Sequence, residues 1–372
     1  MEGTYITFYT YFFKMKIHKL EAIRGFAALY VVIHHFIGFT ILKSELPAIL
    51  RFPFRFGQEA VILFFLMSGF VIYLSSIQKT DLTFKYYFSR RFIRIYPIAF
   101  CAFFLSVLIA LINGYHFTLD DVKELLGNIL MLQDTYNKEG AFVLPFLQNY
   151  PLWSLSYEWW FYMFFYPLFI FFYKKQKTKI PSIYFALIIS IAGCFLYNAF
   201  PNHLFLVMGY FVMWWAGVSI GEVYIRDKKI TFQNMIPVLI SIFIMIVVSS
   251  VPIIQSYMNG IRKFSYINYP GLVLRSYLFT MFILLAGIVW YRYKLVFFDF
   301  IFGQFERFAA ISYAIYIIHF PFIWLEMPVD PYVAIFIKII LIFVLSYLLE
   351  IKMQPFINSL FRKKIVSNAL IT

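Results

Sequence analysis

Long apolar runs separated by short polar segments dominate the chain. Ten runs have the length of a bilayer-crossing helix, about 20 residues, or come close to it. They fall near residues 20–42, 58–78, 92–113, 151–173, 181–198, 203–224, 232–251, 271–291, 309–326 and 331–352. The fifth and ninth are short, and Pro321 interrupts the ninth, which membrane helices tolerate where neighbours satisfy the freed backbone groups. The pattern predicts an all-α polytopic membrane protein with ten transmembrane helices. The longest polar interval, about residues 114–150, is acidic, with Asp120, Asp121, Glu124, Asp134 and Glu139. Within it Thr118–Leu132 reads as a short amphipathic helix, Thr118 capping ahead of Asp120 and Asp121. The aromatic tract of residues 1–14 reads as a dispensable extension, because Met15 opens a basic lead-in, KIHKLEAIRG, to the first run. Residues 15–372 then form a single membrane domain.

Composition agrees. The chain is 62% hydrophobic and 13% charged, a balance that excludes a soluble domain of 372 residues. Its net charge of +14 is explained by position. With the N-terminus in the cytoplasm, the inner segments hold Lys14, Lys16, Lys19; Lys79, Lys85, Arg90, Arg91; Lys174, Lys175, Lys177, Lys179; Arg226, Lys228, Lys229; Arg292, Lys294, Arg307; and Arg362, Lys363, Lys364. The outer segments hold only Lys43, Arg51, Arg55, Lys123, Lys138, Arg262 and Lys263. This is the positive-inside bias, and it places both termini in the cytoplasm and residues 114–150 outside. The basicity therefore calls for membrane lipids as partners and for no nucleic acid. Cys101 and Cys194 lie inside apolar runs, so neither a disulfide framework nor a metal site is expected.

Ionisable residues inside the runs mark the candidate chemistry, because charge at membrane depth is costly and faces a bundle interior or a wet cavity. Arg24 and His35 are eleven positions apart, about three turns plus 20°, so they share a face of the first helix, ~16 Å apart along its axis. His34 lies about 80° off that line and reads as a packing histidine. His35, Glu158 and His319 each lie ~10 Å below the outer face, one layer drawn from three helices. His319 fits a bridging histidine as well as a functional one. Glu158 needs a partner or a proton at that depth. On the inner side Arg91 and Arg94 are spaced i,i+3 on one face, a forked and permanently charged pair suited to phosphate. Arg90 is equally explained as an anchor. Ser68 and Gly69, in FFLMSGF, fit close packing of helices through small residues.

The ordered motifs LEAIRGFAALYVVIHHF, FFLMSGFVIY, RRFIRIYP, LWSLSYEWWFYMFFYPLF and ISYAIYIIHFPF resemble acyltransferase family 3 over nearly the whole chain. The family's bacterial inner-membrane, multi-pass enzymes O-acylate envelope polysaccharides and related acceptors. Its arginine–ten residues–histidine pattern fits Arg24 and His35, its RxxR pattern fits Arg91 and Arg94, and its glutamate fits Glu158. Trp159 and Trp160 stand where the family often has a second acidic residue and Gln. The resemblance implies an acyl-CoA co-substrate, acetyl-CoA first among them, with phosphates near Arg24, Arg91 and Arg94 and no metal. His35 would be the general base toward a sugar or polysaccharide hydroxyl, with Glu158 orienting it or stabilising its charged form, and His319 and Ser68 as further candidates. A glycan transporter or flippase is the competing class, distinguished by movement without consumption of acyl-CoA.

Overall fold

The computed structural model describes the backbone of residues 2–79, 83–136, 138–172, 182–260 and 265–369, with side chains over residues 18–361 of that set. The charges expected at Lys174, Lys175, Lys177, Lys179, Arg262 and Lys263 lie outside the described residues. The side chains of residues 1–14, Lys16, Arg362, Lys363 and Lys364 also lie outside them. Helices dominate and there is no strand among the described residues; one isolated bridge joins Gln133 and Val143. In chain order the helices are α1 (Glu2–Phe39), α2 (Leu42–Glu45), α3 (Ala48–Arg51), α4 (Gly57–Ile77), α5 (Phe84–Ile112), α6 (Leu119–Ile129), α7 (Leu152–Ile170) and α8 (Ile183–Ala199). They continue with α9 (His203–Asp227), α10 (Phe232–Met258), α11 (Gly271–Arg292), α12 (Phe298–Phe302), α13 (Glu306–Ala309), α14 (Ser312–Trp324), α15 (Pro331–Tyr347) and α16 (Gln354–Ala369).

Seven helical stretches among the described residues are long and apolar enough to cross a membrane. The other three expected spans differ. The α8 helix is apolar but only 17 residues long. The stretch from Phe298 to Trp324 is bent by 76° between α13 and α14. The α7 helix carries Ser154, Ser156, Tyr157 and Glu158, and most of it is buried against its own protein neighbours rather than presented outward. Seven of the ten expected spans are thus long and apolar enough among the described residues, or eight if the bent pair is one span.

The chain divides into two compact units, residues 1–60, 88–117 and 297–372, and residues 61–87 and 118–296. In the first, α1 packs against α13 and α14. Gly25 is where they touch: a Cβ there would lie 2.1 Å from the Phe305 carbonyl oxygen. Phe26 meets Phe302 and Phe305 edge-on at 5.1 and 5.2 Å. Pro97 within α5 removes the donor that would serve the Ile93 carbonyl, and Gln354 Nε2 donates to that carbonyl instead at 2.8 Å.

In the second unit α9 is the central helix. Gly217 lets it approach α4 until a Cβ would sit 2.0 Å from Leu66 O, and Gly69 is its counterpart, 2.2 Å from Trp214 O. The small-residue reading of FFLMSGF is therefore correct for Gly69. The helix expected over Thr118–Leu132 is α6, ending at Ile129, and its cap is the expected one: Asp121 N–H donates to Thr118 Oγ1 while Thr118 N–H donates to Asp121 Oδ2.

The interval after α6 is anchored by a buried ionic knot. Asp134 Oδ1 accepts from Lys138 Nζ at 2.6 Å and from Thr135 N–H at 2.8 Å. Its Oδ2 accepts from Tyr157 OH on α7 at 2.6 Å and from His203 Nδ1 on α9 at 3.1 Å. Lys138 Nζ sits 3.8 Å from the centre of the Trp153 ring. Lys138 is 4% exposed, so it is an internal partner rather than the solvated loop charge that the sequence suggests. Burial alone would raise the Asp134 carboxyl, but Lys138 and His203 outweigh it and hold the group at about 2.

That balance predicts an acid limb in stability. The folded value lies below the unfolded one of about 3.9, so the stabilisation is complete above pH ~5 and is lost as pH falls through 2, amounting to about 2.5 kcal/mol. Asp134→Asn removes this contribution and leaves the Lys138 ammonium buried without its counter-charge, a loss of about 3–5 kcal/mol. Thermal unfolding of detergent-purified protein across pH reads both. An unchanged midpoint for Asp134→Asn at neutral pH would refute the knot's role.

Candidate functional site

The first unit builds its site on α1, one unbroken helix from Glu2 to Phe39, so the spacing between Arg24 and His35 is a true helical spacing. Arg24 NH2 donates to the Ala309 carbonyl at 3.0 Å, and Ser312 Oγ donates to the same oxygen at 2.8 Å. That carbonyl ends α13 where the chain bends into α14, a helix terminus whose backbone acceptors need outside donors. Arg24 therefore clasps the bend, and the bend aims α14 back along α1.

The consequence lies on the next turns of α14. His319, fully buried, is brought against His35, with Nε2 of His319 at 2.8 Å from Nδ1 of His35 and the ring planes 19° apart. His319 Nδ1 contacts the Ile315 carbonyl one turn back at 2.9 Å. Phe320 stands edge-on to the His35 ring at 5.0 Å. His35 itself is half-buried. Two of the three residues expected in one layer, 284 positions apart in the chain, are thus hydrogen-bonded to each other. His34 points elsewhere: its Nδ1 donates to the Phe54 carbonyl at 2.6 Å, and its ring packs where a Cβ on Gly57 would be 2.4 Å away. It ties down the segment before α4, as a packing histidine does.

The inner arginines divide in the same way. Arg94 gives both ends of its fork to Glu350, NH1 to Oε2 at 2.6 Å and NH2 to Oε1 at 3.2 Å. Glu350 belongs to a π-helical turn, Leu348–Met353, and its side chain is 3% exposed. Arg91 is half-buried and Arg90 exposed on the same helix. Glu350 carried no sequence signal beyond a charge at the end of the last run. A π turn rotates it inward, and such turns have no simple sequence signature.

Glu158 is held in the second unit. Its Oε1 accepts from Ser68 Oγ at 2.8 Å and from Tyr162 OH, while Ser68 Oγ and Tyr162 OH are 3.0 Å apart. Ser68, a further candidate in the sequence, is in direct contact with Glu158. Tyr162 was missed, although its i,i+4 spacing from Glu158 could have found it. Glu158 Oε2 makes no hydrogen bond among the described residues.

A cavity of about 440 Å³ in the first unit is lined by Glu21, Gly303, Glu306, Arg307, Ala309 and Ala310. Two carboxylates against one guanidinium make it unsuited to a phosphate. His18, Glu21 and Glu306 bring ligand atoms within 4.8 Å of one another at its edge, a set that could hold a cation.

Compared with known families, residues 17–351 match acyltransferase family 3, described as an acyltransferase domain. No curated protein and no solved structure matches the chain.

The Arg94–Glu350 pair makes a separable prediction. Arg94→Met leaves a buried carboxylate without its counter-charge and should destabilise the protein by about 3 kcal/mol, the low end for a broken buried pair because Arg94 is partly exposed. Adding Glu350→Met should restore most of the loss. Thermal unfolding of the single and double variants in detergent measures it. A single variant as stable as wild type would show that the pair does not hold the helices.

Proposed function

The chain belongs to acyltransferase family 3 and is a multi-pass membrane protein, and from that premise we propose that it transfers an acyl group from cytoplasmic acyl-CoA to a hydroxyl of an envelope polysaccharide or lipid-linked sugar. The acyl group favoured is acetyl, and the membrane is the bacterial inner membrane, oriented with both termini in the cytoplasm. The observation that carries the reading is the continuity of α1 between Arg24 and His35, together with the hydrogen bond that joins His35 to His319. A helix with a fixed cation on its inner side and an imidazole three turns outward has the length for a pantetheine arm, ~16 Å.

The donor phosphates are placed near Arg91, Arg94 and Arg24, Arg24 also holding the Ala309 carbonyl and Arg94 its pair with Glu350. His35 is the general base. The acceptor oxygen attacks the thioester carbon, its proton passes to His35, the C–S bond breaks, and the thiolate takes up that proton to leave as CoA. Glu158 is the second catalytic group, its Oε1 fixed by Ser68 and Tyr162 and its Oε2 left for a proton or an acceptor hydroxyl. The reaction needs no metal in this reading.

The test separates the adjacent histidines. His35→Ala should lower acyl transfer roughly 10²–10⁴-fold with normal insertion. His34→Ala, which loses the bond to Phe54 and the packing against Gly57, should keep substantial activity. Mass spectrometry of envelope glycans from cells expressing each variant reports acyl group and acceptor together. Equal loss in both, with both proteins folded, would refute the assignment of His35.

A further inference from the structure

We propose that His319 is a positioning residue that fixes His35 in the tautomer with the proton on Nδ1, leaving Nε2 as the basic atom, and that the Ile315 carbonyl, not a carboxylate, anchors this relay. The proposal rests on the reading of His35 as the base and adds which atom acts and why.

The directions follow from one end of the chain of bonds. A carbonyl oxygen only accepts, so the 2.9 Å contact of His319 Nδ1 with Ile315 O places a proton on Nδ1. A neutral imidazole carries one N–H, so His319 Nε2 holds a lone pair. An imidazolium there would be a charge at 0% exposure whose polar contacts among the described residues are another imidazole and the backbone of Ile315 and Tyr316, with no counter-charge among them. The lone pair faces His35 Nδ1 at 2.8 Å, so His35 Nδ1 is the donor. His35 Nε2 is then bare, and it makes no hydrogen bond among the described residues. The residue as a whole is half-buried.

This is the orienting logic of a catalytic triad with a different last member. Ile315 is one turn before His319 on α14, so the helix supplies its own acceptor. The orientation survives only while α14 lies along α1, which links the tautomer to the clasp at Ala309. During transfer His35 takes the acceptor's proton on Nε2 and keeps its Nδ1 proton in the bond to His319. The imidazolium is stabilised by that bond until the proton passes to the departing thiolate.

Solid-state NMR of lipid-embedded protein with 15N-labelled histidine tests it, the His35 signals among the six histidines being assigned by their loss in His35→Asn. Wild type should show His35 protonated on Nδ1 and bare on Nε2 above its titration. His319→Phe should give mixed tautomers and a kcat lowered by at least roughly 10-fold and up to about 10⁴-fold, the range between the partner of a metal-bound histidine and that of a triad histidine, with donor KM little changed. His319→Gln, whose side-chain oxygen offers an acceptor near the same place, should recover most of both. A wild-type His35 protonated on Nε2 would overturn the proposal, as would unchanged tautomer and kcat in a folded His319→Phe. If His319→Phe fails to fold, the wild-type spectrum and His319→Gln decide. The spectrum needs no turnover. A bare Nε2 in a protein whose His35→Ala variant still transfers acyl groups would sink the general-base reading and leave the tautomer standing.

Discussion

The Ala309 carbonyl governs the first unit. In a hydrocarbon setting an unsatisfied backbone acceptor costs several kcal/mol, so a helix can break there only where donors are supplied. Arg24 and Ser312 supply them, and Gly25 removes the Cβ that would keep α1 from coming close enough. The bend that results turns α14 along α1 and sets His319 against His35. Arg24 and His35, both on α1, are thus linked through one other segment, the bend between α13 and α14.

The same rule recurs at each buried charge. Arg94 finds Glu350, and Lys338 in α15 donates to the Ile323 carbonyl near the end of α14 at 3.0 Å. Asp134 collects Lys138, His203 and Tyr157. None of these is a surface ion pair of negligible worth; each is a polar group whose alternative is an unpaired one, and that asymmetry makes them structural. His35 and Glu158 are each held on one side, by His319 and by Ser68 and Tyr162, while Nε2 and Oε2 make no hydrogen bond among the described residues. A group that is held on one side and free on the other is arranged for chemistry.

Much of the helical layout was legible, because runs of spanning length have few alternatives. Depth counting also brought His35 and His319 to one level, and they touch. What was not legible had physical causes. The break before Ser312 contains Ala310 and Ile311, with no glycine or proline to announce it, since a tertiary hydrogen bond from Arg24 sets it. Glu350 depends on a π turn and a partner 256 residues away. Lys138 and Asp134 have an i,i+4 spacing, but only the fold reveals that both are buried. His203 opens α9 without a motif to mark it, and its role comes from Asp134 in the interval before α7.

The central claim is that a thioester on one side of the membrane becomes an ester on a glycan. Sealed vesicles containing the protein, supplied with acyl-CoA labelled with 13C in the acyl group, test it most directly when both free CoA and glycan-bound label are measured by mass spectrometry. The account predicts one CoA released per labelled ester formed, and neither product with His35→Ala. Glycan carried across the membrane with acyl-CoA intact would contradict it and make the protein a transporter.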